Sequence, residues 1–322
     1  MKPSFMHRMV NTPFDDPGLF VRIFREKRAL LFDAGDISRL KSGDLQKITD
    51  VFITHTHIDH FIGFDTLVRA LLRRSVPLHV YGPANIDDCI EGKLKGYTWN
   101  LITEYPLKIE VYGIDGNTIC HSSFHAENRF QRRIHRIRKM SGVLFREPLF
   151  TVKALQLDHQ IPCLAYSLEE DFHININKAL LREMALPVGP WLSELKDAIR
   201  VRMPGNTEFV VSGRQYRLDE LQAIATITKG QKISYVTDVS LTDDNIRRII
   251  EFVRDSDTLY CEAYFMDKDI DMARKRFHLT AKITGSIARR AGVKHLVVMH
   301  FSPRYRNLPE SPGEEAMREF MK

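Results

Sequence analysis

The chain has 322 residues, 43% of them hydrophobic and 27% charged, with 47 Lys+Arg against 41 Asp+Glu for a formal net charge of +6. Those proportions fit a folded protein and exclude a disordered or collagen-like chain. No uncharged apolar run approaches the roughly 20 residues that span a bilayer, and the start, Met1 to Val10, lacks the apolar stretch of a secretory signal, so a cytoplasmic protein that does not enter the membrane is expected.

In chain order, Leu19 to Phe24 and Arg28 to Asp33 read as two strands joined by a polar turn over Arg25 to Lys27. Val51 to Thr54 is a short strand rich in β-branched and aromatic residues, and Phe64, Leu67, Val68, Leu71 and Leu72 then recur at helical spacing. Further strands are predicted at Leu78 to Tyr81, Leu107 to Tyr112, Thr118 to Phe124 and Phe150 to Leu157, with Asp115-Gly116 as a hairpin turn. Later strands are Glu208 to Val211, Ile233 to Thr237, Thr258 to Glu262 and Leu296 to Met299. Helices are predicted over Ala84 to Leu94, Asp219 to Ile227, Asp243 to Val253 and Thr280 to Arg290, with Gly292 ending the last. This interleaving predicts a layered α/β protein. The cysteines, Cys89, Cys120, Cys163 and Cys261, form no CxxC pair and read as small buried hydrophobes. Two basic runs, Arg69, Arg73 and Arg74, and RFQRRIHRIRK from Arg129 to Lys139, read as solvated faces or as phosphate-binding surfaces.

The chemistry concentrates in Val51-Phe-Ile-Thr-His-Thr-His-Ile-Asp-His60. His55 and His57 alternate in an extended segment, so both project to one side and can hold one ion. Asp59 and His60, where the chain turns into a helix, can address a second. Imidazole and carboxylate suit zinc, and also manganese or iron; the lack of thiolates points to a catalytic site. His159, Asp238 and His300 each follow a predicted strand, as His55 does, and strand ends in such sheets converge on one edge. Seven donors are thereby available.

HTHIDH matches the HxHxDH signature of the metallo-β-lactamase superfamily, and the later segments resemble its ribonuclease Z branch, the tRNA 3′-processing endonucleases. LDHQIPCLAYSLEE around His159, YVTDVS around Asp238, CEAYF with His278-Leu-Thr280, and HFSPRY from His300 resemble that branch's LDH, GDT, HEAT/HST and HxSxRY segments. LPVGPWLSELK, with Gly189 and Pro190, is similar to part of its tRNA-binding arm. The resemblance implies a single metallo-β-lactamase-like domain over 1–322, an αβ/βα sandwich of two mixed sheets flanked by helices, with an arm inserted at 170–205. It implies two divalent ions, zinc foremost: one on His55, His57 and His159, the other on Asp59, His60 and His300, with Asp238 between them. Asp33 would support the site, Asp59 would hold the nucleophile, His278 would act at the scissile phosphate, and Glu262 would orient His278. Gly189, Pro190, Lys196, Arg200 and Arg304 are the candidate substrate contacts, beside Lys178, Arg182 and Arg202. The implied reaction is removal of the 3′ trailer from precursor tRNA by a hydroxide activated between the two ions, in a homodimer.

The chain departs from the branch in its opening MKPSFMHRMVNTPFDDPG, in the turn Gly35-Asp36-Ile37-Ser38-Arg39, and in lacking a Pro-Gly before the arm helix. Two other readings therefore stand beside the first. One is a dimetal hydrolase of a small phosphodiester such as a cyclic nucleotide, or of a sulfate or carboxylic ester. The other is a non-catalytic RNA-binding module.

Overall fold

A computed structural model describes residues 3–24 and 26–322. Lys2 and Arg25, the latter expected in the first strand connection, lie outside the described residues. By its contacts the chain divides into two compact units. The larger comprises 5–144, 152–168 and 232–322. The smaller is built from 145–151 and 169–231, and takes in Ser4.

The larger unit opens with an eight-stranded mixed sheet in sequence order: β1 (Phe5–Met9), β2 (Leu19–Ile23), β3 (Arg28–Phe32), β4 (Ile48–Phe52), β5 (Leu78–Pro83), β6 (Lys108–Asp115), β7 (Thr118–His125) and β8 (Arg132–Lys139). Its central strands β3 to β6 are parallel, and the flanking pairs are antiparallel. The second sheet is entered through β9 (Val143–Arg146), β10 (Phe150–Asp158) and β11 (Pro162–Glu170). The chain then forms β12 (Phe172–Ile176), β13 (Glu208–Val211), β14 (Arg214–Arg217) and β15 (Ala225–Lys229), and returns through β16 (Lys232–Val236), β17 (Thr258–Glu262) and β18 (His295–Met299). The order of this sheet is β18-β17-β16-β11-β10-β9.

The two sheets face each other across aromatic rings. Phe32 and Phe52 stack at 4.8 Å between ring centres and meet Tyr166 and Tyr235 of the other sheet at 5.4–6.0 Å. All four rings are buried, each contributing roughly 1.5–3 kcal/mol of apolar burial. Helix Phe64–Leu71 covers the outer face of the first sheet with Phe64, Leu67, Val68 and Leu71, the residues that recur at helical spacing. Helices Asp243–Phe252 and Ala281–Arg290 cover the second, starting at Thr242 and Thr280, whose side chains cap them. This is the expected αβ/βα sandwich.

The smaller unit has its own core of Ile174, Leu181, Leu195, Phe209, Leu218 and Leu221 among others. Here one expectation fails. The helix expected over Asp219 to Ile227 covers only Leu218–Gln222, and Ala225–Lys229 is a strand paired antiparallel with β12. Its alternation of Thr and Ile suits a two-sided strand, and Phe172–Ile176 supplies the partner that a local reading cannot see.

The basic runs are also partly redirected. Arg132–Lys139 is the edge strand β8, and Arg132 is ion-paired with Asp87 and Asp88. Arg74 donates to the carbonyls of Gln46, Ile48 and Pro77, so it caps backbone instead of facing solvent. No helix among the described residues is long and apolar enough to cross a membrane.

Candidate metal centre

The site lies wholly in the larger unit, where β3, β4, β10, β16, β17 and β18 end. Asp33, Asp238 and His300 all follow strands with a positive φ, of 54°, 52° and 56°. That left-handed conformation is strained for non-glycine residues; each turns its side chain abruptly toward a common point. The His55–His60 turn is held from behind by close backbone packing. A Cβ on Gly63 would sit 2.1 Å from the Gly35 carbonyl oxygen, and one on Gly35 would sit 2.3 Å from that of Asp59. Only glycine fits at either position.

Around this turn the side chains form two adjoining groups. The rings of His55, His57 and His159 lie 4.3–5.5 Å apart, and those of His60 and His300 lie 5.2 Å apart. One oxygen of Asp238 is 3.4 Å from His55 Nε2, 3.5 Å from His60 Nε2 and 3.6 Å from His159 Nε2; the other is 2.7 Å from His300 Nδ1. A single buried carboxylate thus touches both groups. Asp59 adds an oxygen 3.3 Å from His300 Nε2 and 3.5 Å from His60 Nε2.

The outer contacts set which nitrogen faces inward. His60 Nδ1 donates to Asp33 at 2.9 Å, and Asp33 also accepts from the Thr54 backbone, the Thr54 hydroxyl and the Tyr235 hydroxyl. His159 Nδ1 donates to the Phe277 carbonyl at 2.7 Å. In the neutral form both rings therefore turn a bare Nε2 to the centre, the orientation such hydrogen bonds impose on metal-binding imidazoles. His55 Nε2 and His60 Nε2 are buried without a hydrogen-bond partner. Leaving such a nitrogen unsatisfied costs about 1–3 kcal/mol, and a divalent cation would remove that cost. Donor atoms of His55, His57, His159 and Asp238, and likewise of Asp59, His60 and His300, all lie within 4.8 Å of one another. The donor set fits a divalent metal.

Electrostatics agree. Burial takes the His55 pKa down to about 4, with help from neighbouring His60. Burial also pulls at His300, but Asp238 and Asp59 outweigh it and raise the ring to about 9. At His60, Asp238 and Asp33 likewise overcome burial. The carboxylates thus create a field that attracts positive charge, whether proton or metal.

Beside this cluster, Glu262 accepts from the Val239 backbone at 2.7 Å through one oxygen and from His278 Nδ1 at 2.8 Å through the other. Tyr264 stacks flat on His278, with ring centres 4.1 Å apart and planes 8° from parallel. His278 then lines an open cleft of about 700 Å³ together with His57, Asp59, Asp238 and His300. Lys275, Arg276 and Arg304 line the same cleft and make its rim cationic. Sequence reading missed Tyr264, Lys275 and Arg276, although the run Arg-Lys-Arg just before Phe277-His278 was the available signal.

Gly189, Pro190, Lys196 and Arg200 lie in the smaller unit. Arg200 corrects an expectation. It is buried, donates to the Phe172 carbonyl at 3.0 Å, and lies over the Phe172 ring and 3.7 Å from Glu170. An arginine so engaged holds its own unit together.

The sequence pattern of the metallo-beta-lactamase superfamily matches residues 16–88, the stretch holding Asp33 and the His55–His60 turn. The ribonuclease Z of Deinococcus radiodurans is 30% identical over 302 residues, covering 90% of this chain and 86% of that protein. The chain belongs to the ribonuclease Z family. The ribonuclease Z of Nanoarchaeum equitans is also 30% identical, over 86% of this chain and 76% of its own. Among solved structures, the short form of human tRNase Z matches with a TM-score of 0.56 at 20% identity, covering 93% of both chains, which shows the shared fold. As a ribonuclease Z family member, the chain is a metal-dependent hydrolase.

Proposed function

We propose that this chain is the endoribonuclease that removes the 3′ trailer from precursor tRNA, working in the cytoplasm with two zinc ions and as a homodimer. The observation that carries the reading is the Asp238 carboxylate, whose one oxygen lies 3.4–3.6 Å from imidazole nitrogens of both histidine groups. On this reading His55, His57 and His159 would hold one ion and Asp59, His60 and His300 the other, with Asp238 available to both. When bound, the ions supply a water of lowered pKa and Lewis acidity toward a phosphodiester.

The chain's own groups do the rest. Asp59, ionised because His300 and His60 outweigh the burial that opposes ionisation, is held by His300 at the cleft and can accept a hydrogen bond from the attacking water. Glu262 holds the Nδ1 proton of His278, leaving Nε2 to donate a proton to the departing ribose oxygen while Glu262 stabilises the imidazolium. Lys275, Arg276 and Arg304 neutralise flanking phosphates. The smaller unit acts as the tRNA-binding arm, with Lys196 and the Gly189-Pro190 turn on its surface; such contacts select RNA by shape.

The test is incubation of the zinc-loaded protein with a trailer-bearing precursor tRNA, beside a cyclic nucleotide and a chromogenic phosphodiester. Release of a trailer with a 5′-phosphate is expected. Hydrolysis of the small substrates with the RNA left intact would overturn the reading, and tRNA binding without any cleavage would favour the RNA-binding module.

A further inference from the structure

A second group of donor side chains lies away from Asp238, on the strands that close the first sheet. Glu110 on β6, His121 on β7 and His135 on β8 each offer one donor atom, all within 4.8 Å of one another. Their meeting is built by register. β6 and β7 pair Tyr112 with His121 and Glu110 with Ser123, which puts all four side chains on one face. His135 reaches that face through an irregularity: β8 carries an extra residue opposite His121/Ser122. A bulge of this kind re-aims a side chain, and bulges concentrate beside functional sites.

The donors are also oriented. His121 stacks on Tyr112, with centres 4.7 Å apart and planes 9° from parallel, and its Nε2 lies 2.7 Å from a Glu110 oxygen. The other Glu110 oxygen accepts from His125 Nε2 at 3.3 Å. The His135 ring lies 4.6 Å from the His121 ring, and its Nε2 is 2.7 Å from the Ser123 hydroxyl. Two imidazoles and a carboxylate, with one of the carboxylate oxygens fixed by a further histidine, is a donor set of zinc type.

We propose that Glu110, His121 and His135 bind a transition-metal ion of the zinc class, distinct from the centre at Asp238, which ties edge strand β8 to β6 and β7. The ion would fix the presentation of Arg133, Arg136 and Arg138 along that strand.

The experiment counts zinc by elemental analysis after equilibrium dialysis of the full chain. Wild type is compared with His135→Gln, and Asp238→Ala with the Asp238→Ala/His135→Gln double variant. The second pair is read with the principal centre disrupted, so its result stands apart from the dimetal reading. His135 is exposed, so its substitution spares the fold; His121→Gln is the second variant, checked by circular dichroism. One zinc fewer per chain is expected whenever His135 or His121 is replaced, together with faster amide exchange along β8. Equal zinc content with and without His135 in either background would overturn the site.

Discussion

The His55–His60 turn and the 170–205 stretch both stand out in the sequence, yet the fold treats them differently. In the first, every chemically distinctive side chain turns toward one point, and its neighbours Asp33, Thr54 and Tyr235 exist to fix the angles. In the second, the most basic-looking feature divides: Arg200 folds inward onto Phe172 and Glu170, while Lys196 stays part-exposed on the same helix. Ligand chemistry demands convergence, so a cluster of donors in six residues has few alternative explanations. A cation on a small unit can serve packing as readily as substrate.

The largest effect that sharpens this contrast is at Asp238. Replacement by Ala removes the carboxylate shared by both groups, and metal affinity should fall by more than the roughly 10–100-fold that loss of an outer hydrogen-bonding partner costs. Dialysed protein should lose the two zinc ions of the Asp238 centre and cleavage together; retention of both would separate Asp238 from the site. His278→Ala should instead lower kcat by about 10²–10⁴-fold with zinc content unchanged, as removal of a general acid does. Glu262→Gln should give a smaller loss with the same metal content. Asp33→Asn should weaken metal binding about 10–100-fold through the freed His60 ring, measured by competition with a chelating dye.

In the smaller unit the expected effects are weaker and of two kinds. Lys196→Ala should raise KM for precursor tRNA and reduce the salt dependence of binding by about one counterion, with kcat unchanged. Arg200→Ala should lower the thermal midpoint while the salt dependence stays as in wild type. If Arg200→Ala changed the salt slope and Lys196→Ala did not, the inward and outward assignments would be reversed.

Much of the candidate metal centre was legible because its residues mark strand ends. His159, Asp238 and His300 follow apolar runs that form β10, β16 and β18 within one or two residues of the expected limits. Asp33 was legible only through the family resemblance of the LFDAGD segment. What escaped was set by tertiary partners: Ala225–Lys229 becomes a strand because β12 lies beside it, and His135 faces His121 because of one extra residue in β8. Tyr264 escaped because a tyrosine beside a strand reads as core until its ring is seen lying on His278. Single residues at register shifts and stacking contacts carry no periodic signal.

Anomalous diffraction at the zinc edge from crystals of the loaded protein tests the central claim most directly. Two peaks should flank the Asp238 carboxylate, one against His55, His57 and His159 and the other against Asp59, His60 and His300. A single peak there, or none, would contradict the account.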